Sequence, residues 1–278
     1  MRDQGAQARW RQLAVASILI LAVAALAIGG FRHWQKAVQA QHYQQIIGQL
    51  TEHAGLFGLA AAPSVVFDRA RMFVNDHSTH NIDAAFFALW RAPERVATAV
   101  LAHAQGHLTE KPHLECSTRT HVLSGILRTL GFATRQVVLY DHTRQLASHT
   151  LLEVLNPQTQ RWEIEDPDYD IYWRHKASGK RASITAVVAA PEQHEPCGRA
   201  QCGWDQPSSE GQTPEFLRPY LHLASIIDKE RPRRVSFYHA EFDPAQQFTY
   251  AERTGTFCEL LRKNCRDGFV PATTLTTE

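Results

Sequence analysis

The sequence predicts an α+β domain in which a helix carrying a cysteine packs on an antiparallel sheet, behind an apolar N-terminal helix. Three observations carry that expectation. Residues 12–31 contain no charged side chain and follow a segment bearing Arg2, Arg9 and Arg11. Val122, Leu123, Ile126, Leu127 and Leu130 recur at helical spacing directly after Cys116. Three β-rich runs come next, at 136–140, 149–156 and 161–166, the last two flanking a turn signal at Pro157-Gln158.

Taken in order, the charge-free run spans roughly 30 Å as a helix, the thickness of a bilayer's hydrocarbon core. The arginines ahead of it place that end in the cytosol by the positive-inside tendency, so the remainder faces the other side of an inner membrane. A cleaved signal peptide is the alternative, with Ala25-Leu26-Ala27 as its small-residue site. Either reading exports the rest of the chain. The expected division is a cytosolic N-terminus at 1–11, a transmembrane anchor at 12–31 and a stalk helix at 32–62. A globular core at 63–190 and a cysteine-containing extension at 191–278 follow. The stalk reads equally as the first helix of the globular domain.

Residues 64–110 read as mostly helical, with Phe67, Ala70, Met72 and Phe73 as a stripe and Pro93 opening a further helix. The polar cluster Asn75, Asp76, His77, Ser78 and His80 matches no trusted metal-ligand spacing and reads as a solvated loop. Residues 171–215 look polar and irregular. A short helix is expected around 220–227 and a strand at 234–239.

At 278 residues the chain can bury a sizeable core, and a net charge of +1 excludes a basic nucleic-acid surface or an acidic solvating tail. The five cysteines are an odd number. Setting Cys116 aside leaves Cys197, Cys202, Cys258 and Cys265, which in an oxidising compartment form two disulfides of undetermined pairing. A four-cysteine zinc site is the alternative, although its usual ligand gap suits Cys197 and Cys202 and not Cys258 and Cys265. On either reading Cys116 is the thiol left over.

Cys116 is special for a second reason. Ser117 and Thr118 suit a helix start, which puts the thiol at a helix N-terminus, where the dipole and unpaired N–H groups favour a thiolate. With 15 histidines in the chain, a histidine near any cysteine carries little weight by itself. Spacing decides instead. A turn centred on Pro157-Gln158 places His149 directly opposite Asp166, with Cβ atoms roughly 5 Å apart on one face. That pair fixes the imidazole tautomer and leaves the other ring nitrogen for a thiol.

These runs resemble the core of the transglutaminase-like superfamily, a branch of the papain-like cysteine fold. Ile126-Leu127-Arg128-Thr129-Leu130-Gly131 follows the cysteine that opens the helix, His149-Thr150-Leu151-Leu152-Glu153-Val154 opens the histidine strand, and Trp162-Glu163-Ile164-Glu165-Asp166-Pro167 closes the aspartate strand. The likeness covers about residues 106–172. It implies Cys116 as nucleophile, His149 as base and Asp166 as orienter, with Asp168 and Asp170 as other carboxylates near that place. Glu115, Thr120 and Leu151 depart from the family pattern, and no calcium-site pattern is present.

The expectation is therefore a membrane-anchored thiol hydrolase or acyltransferase acting on an amide or ester carbonyl of a protein, peptide or cell-envelope polymer. It needs no cofactor, metal or nucleic acid. The Cys116 N–H is one expected oxyanion donor, and Trp90 is offered as a second. The alternative is a non-catalytic binding or scaffold module of the same fold.

Overall fold

Four helices build one layer of the protein. They are seen in a computed structural model that describes residues 4–54, 61–90, 92–141, 146–207, 210–211, 213–221, 223–227, 235–239, 248–251 and 268–271. Helix α1 (Gln4–Ala54) is long, and every side chain described between residues 17 and 37 is exposed or half-buried. Its last turns behave differently, with Tyr43, Ile46 and Leu50 buried among α2 (Pro63–Asp76), α4 (Val96–Ala104) and α5 (Cys116–Thr129). Residues 43–50 thus form part of the domain and not a free stalk. Helix α3 (Ala84–Trp90) lies between α2 and α4 in sequence.

Among the described residues, no helix is long and apolar enough to cross a membrane. The charge-free run begins earlier, and the side chains of residues 12–16 and 19 lie outside the described ones. Within its described part, Ile18, Leu21, Val23, Leu26, Ile28 and Phe31 are exposed.

Helix α5 forms where the periodicity places it. Val122, Leu123, Ile126 and Leu127 are fully buried, each such side chain contributing about 1.5–3 kcal/mol. Gly131 ends the helix with φ of 90°, where its N–H reaches Arg128 O and that of Phe132 reaches Leu127 O. This is the double bond pattern that a left-handed residue permits. The helix start is one residue earlier than Ser117 and Thr118 suggest. Glu115 is the N-cap, its carboxylate accepting from the N–H groups of Ser117 and Thr118.

Helix α5 meets α1 at Gly125, where a Cβ would overlap the Tyr43 ring. Tyr43 is buried at that contact, so its ring must shift within the packed helices to admit a methyl group. Gly125→Ala is expected to cost about 1–3 kcal/mol by overpacking, measured as a lower urea midpoint at unchanged slope.

The second layer is a mostly antiparallel sheet. Strands β3 (Thr134–Asp141), β4 (Leu146–Asn156), β5 (Arg161–Asp166), β6 (Ile171–His175) and β7 (His194–Cys197) lie side by side in that order. On the far side of β3 follow β8 (Leu223–Ile227), β9 (Val235–His239), β10 (Phe248–Ala251) and β11 (Gly268–Pro271). Apart from this sheet, β1 (Thr79–His80) and β2 (His113–Leu114) make a short parallel pair. Leu152 and Val154 face the helices, whereas Leu151, Ile164 and Trp173 form a second core with α6 (Ile184–Ala189).

Several expectations change here. Residues 223–227 are strand β8 and not helix, since the short apolar run completes the edge of β3. Residues 171–197 carry β6, α6 and β7, so the sheet crosses the expected boundary at 190. Cys197 and Cys202 are joined by a disulfide. Cys258 and Cys265 lie outside the described residues, as does any helix between them.

Candidate active site

Cys116, His149 and Asp166 come from three elements that meet where β4 begins and β5 ends, inside the sheet and not at its edge. Cys116 opens α5, His149 lies near the start of β4, and Asp166 ends β5. Thr120 Oγ1 donates to Thr150 O at 3.1 Å and ties the first turn of α5 to β4 beside His149.

The β4–β5 register differs from the simplest expectation. The strands pair Leu152 with Glu165 and Asn156 with Arg161, so the loop is 157–160 and not a two-residue turn. Asn156 Oδ1 accepts from the N–H groups of Gln158 and Thr159, and Gln160 takes a φ of 55°. The register therefore moves by two positions, and His149 is a diagonal neighbour of Asp166. An odd slip would have turned the pair to opposite faces; an even one keeps them together. His149 Nε2 lies 2.7 Å from Asp166 Oδ2.

Asp166 is fully buried and His149 is 4% exposed. The other carboxylate oxygen, Oδ1, accepts from the backbone N–H of Asp168 at 2.9 Å and of Tyr169 at 3.4 Å. The Tyr169 ring meets His149 edge-on at 5.4 Å. With Nε2 committed to Asp166, Nδ1 is the ring nitrogen left for the Cys116 thiol, which lines the same cleft. Burial works against charge on this imidazole, but the Asp166 carboxylate and its hydrogen bond outweigh it. The His149 pKa is raised well above the usual imidazole range.

The thiol is pulled two ways. Burial pushes its pKa up, the hydrogen bond and charge of His149 pull it down, and the carboxylates of Glu115 and Asp168 push it up again. The net direction is upward. Cys116 Sγ also donates to Glu115 Oε2 at 3.2 Å, so the helix cap holds the thiol in its protonated form. Glu115→Gln removes that charge while keeping an acceptor for the cap. It is expected to raise alkylation of Cys116 by iodoacetamide severalfold at pH 7, measured by mass spectrometry. An unchanged rate contradicts a restraining role for Glu115.

The other two candidate carboxylates are engaged elsewhere. Asp170 binds Arg71 Nε at 2.9 Å and also Arg199. Asp168 binds His80 and Arg119. Trp90 is 57% exposed and lies outside the cleft lining.

The cleft over the thiol has a volume of about 490 Å³ and is lined by His80, Glu115, Cys116, His149, Tyr169 and Phe216, among others. His80 is the residue that sequence reasoning missed. It sits in a two-residue strand, too short for any periodic signal, and the adjoining polar cluster reads as a loop.

Compared with known proteins, the chain matches no family model and no curated sequence.

Proposed function

We propose that this protein is a thiol enzyme of transglutaminase-like type that cleaves or transfers at an amide or ester carbonyl. The observation that carries the reading is the buried His149–Asp166 pair at 2.7 Å, set in the cleft that Cys116 also lines. A cysteine, a base and a third group orienting that base are the parts of an activated thiol nucleophile.

His149 Nδ1 takes the thiol proton, and the sulfur attacks the carbonyl carbon. The C–S bond forms as the carbonyl π electrons move to oxygen. Collapse of the tetrahedral intermediate expels the amine or alcohol, protonated by His149. Water or an amine then attacks the thioester with His149 again as base, and the C–S bond breaks to release the acyl product and the Cys116 sulfur, which takes the proton back from His149. The Glu115 carboxylate accepts from the N–H groups of Ser117 and Thr118, which leaves the Cys116 N–H as the donor for the oxyanion.

Replacing Cys116 by alanine is expected to abolish both labelling by an iodoacetamide probe and turnover of p-nitrophenyl acetate, with the circular dichroism spectrum unchanged. Full turnover in Cys116→Ala contradicts the proposal. The binding-module reading draws on one feature, the Glu115 contact that keeps the thiol protonated. It requires that p-nitrophenyl acetate leave Cys116 of the parent chain unacylated.

Residues 12–31 are proposed as a membrane anchor, with the domain on the non-cytosolic side and a protein, peptide or envelope polymer as substrate. The charge-free run supports this, as do the exposed apolar side chains along α1. Membranes washed with alkaline carbonate should retain the chain and lose a variant lacking residues 12–31. Release of the parent chain contradicts the anchor.

A further inference from the structure

A second histidine–aspartate pair faces the same cleft. The parallel pairing of β1 with β2 sets His80 beside Leu114, two residues ahead of Cys116. The Asn81 N–H donates to Leu114 O at 3.0 Å, which locks that placement. Both carboxylate oxygens of Asp168 lie 2.9 Å from His80 Nδ1. Asp168 is itself held by Arg119, whose NH1 is 3.0 Å from its Oδ1. Arg119 is fully buried and also reaches Glu210 Oε1, which accepts the His80 backbone N–H at 3.0 Å.

We propose that His80 is a further catalytic residue, donating from Nε2–H of its imidazolium to the oxyanion that forms when Cys116 attacks a carbonyl. The proposal rests on the thiol-enzyme reading above. With Nδ1 taken by Asp168, Nε2 is the ring nitrogen left for the cleft, and the His80 side chain is 26% exposed there. Nε2 carries a proton in addition to that on Nδ1 only when the ring is charged.

The groups around it favour that state. Asp168 from the β5–β6 turn and Glu210 from the segment after β7 favour the charge, while Arg119 from α5 opposes it. Glu115, Cys116 and His149 face it across the cleft. The hydrogen bond that His80 donates to Asp168 dominates and raises the His80 pKa above its ordinary value, against the effect of burial. Charge on Nε2 is thus present at low pH and is lost as pH rises through that raised value. His149 serves the sulfur, and His80 serves the carbonyl oxygen.

The test separates alkylation from acylation in the full chain. Iodoacetamide reacts at a saturated carbon and forms no oxyanion, whereas p-nitrophenyl acetate acylates through one. His80→Ala is expected to leave the alkylation rate of Cys116 within about twofold and to slow acylation by about 100-fold or more. His80→Gln, which keeps a neutral N–H donor, should alkylate normally and acylate at an intermediate rate. It also provides the readout if the alanine variant does not fold. Equal loss of both rates would reduce His80 to a structural support, and unchanged acylation in either variant overturns the proposal. A parent chain that p-nitrophenyl acetate does not acylate overturns the thiol reading and the role of His80 with it. Acylation of the parent with no effect at His80 overturns the His80 role alone.

Discussion

Asp166→Asn is expected to lower turnover of p-nitrophenyl acetate by about 10⁴-fold, the scale seen when a triad carboxylate is made an amide. The reason lies in the two oxygens of Asp166. Oδ1 accepts from the backbone N–H groups of Asp168 and Tyr169, while Oδ2 accepts from His149 Nε2. An asparagine keeps a single acceptor oxygen, and the two backbone donors claim it. Its NH₂ then points at His149 and makes Nε2 an acceptor. The ring proton moves to Nδ1, the nitrogen that faces the thiol, and the base is lost. Backbone and fold stay intact, so the thermal midpoint should change little. Substrate affinity should change little as well, which puts the loss in kcat. An Asp166→Asn chain with near-parental kcat contradicts the assigned orientation.

Arg71→Ala carries the largest expected effect on stability, about 3–5 kcal/mol. Arg71 is 1% exposed and sits on the buried stripe of α2 beside Phe67, Ala70 and Val74. Its Nε binds Asp170 Oδ1 at 2.9 Å, and its NH1 binds Asp68 Oδ1 at 2.7 Å and also Glu165. Glu165 and Asp170 are themselves buried. Removing the guanidinium leaves buried Glu165 with Arg181 alone and Asp170 with Arg199 alone, a loss that costs more than the packing. Arg71→Met separates the two, because it keeps the volume and loses the charge, and it should be nearly as destabilised. Against a typical domain stability of about 5–15 kcal/mol, such a loss is read readily as a fall in urea midpoint. It should also reach the site. Glu165 precedes Asp166, and Asp170 closes the turn that carries Asp168, so thiol reactivity should fall in the fraction that remains folded.

The parts of this architecture visible in the sequence are those with a period. Helix α5 shows its apolar stripe, and β4 and β5 stand out as β-rich runs around a turn signal. The register was not visible. Nothing at 157–160 resembles the glycine or asparagine pair of a tight hairpin. The left-handed residue is Gln160, and the usable signal was Asn156 capping its own turn. Strands β1 and β2 have two residues each and carry no pattern, so His80 could not be placed beside Cys116. The run at 223–227 is a short apolar stretch, which periodicity alone does not assign to helix or strand. Arg71 sat in plain view on the apolar face of α2. A charge on a buried stripe signals a buried partner, and the partners lie 94 and 99 residues away, beyond any local reading.

The most direct test of the account is the alkylation rate of Cys116 by iodoacetamide, followed from pH 5 to 10 in the parent chain and in His149→Ala. The His149 hydrogen bond and charge lower the thiol pKa, so removing them should slow alkylation at pH 7 by about tenfold and displace the profile to higher pH. Superimposable profiles would mean that His149 does not act on the thiol, and would contradict the central claim.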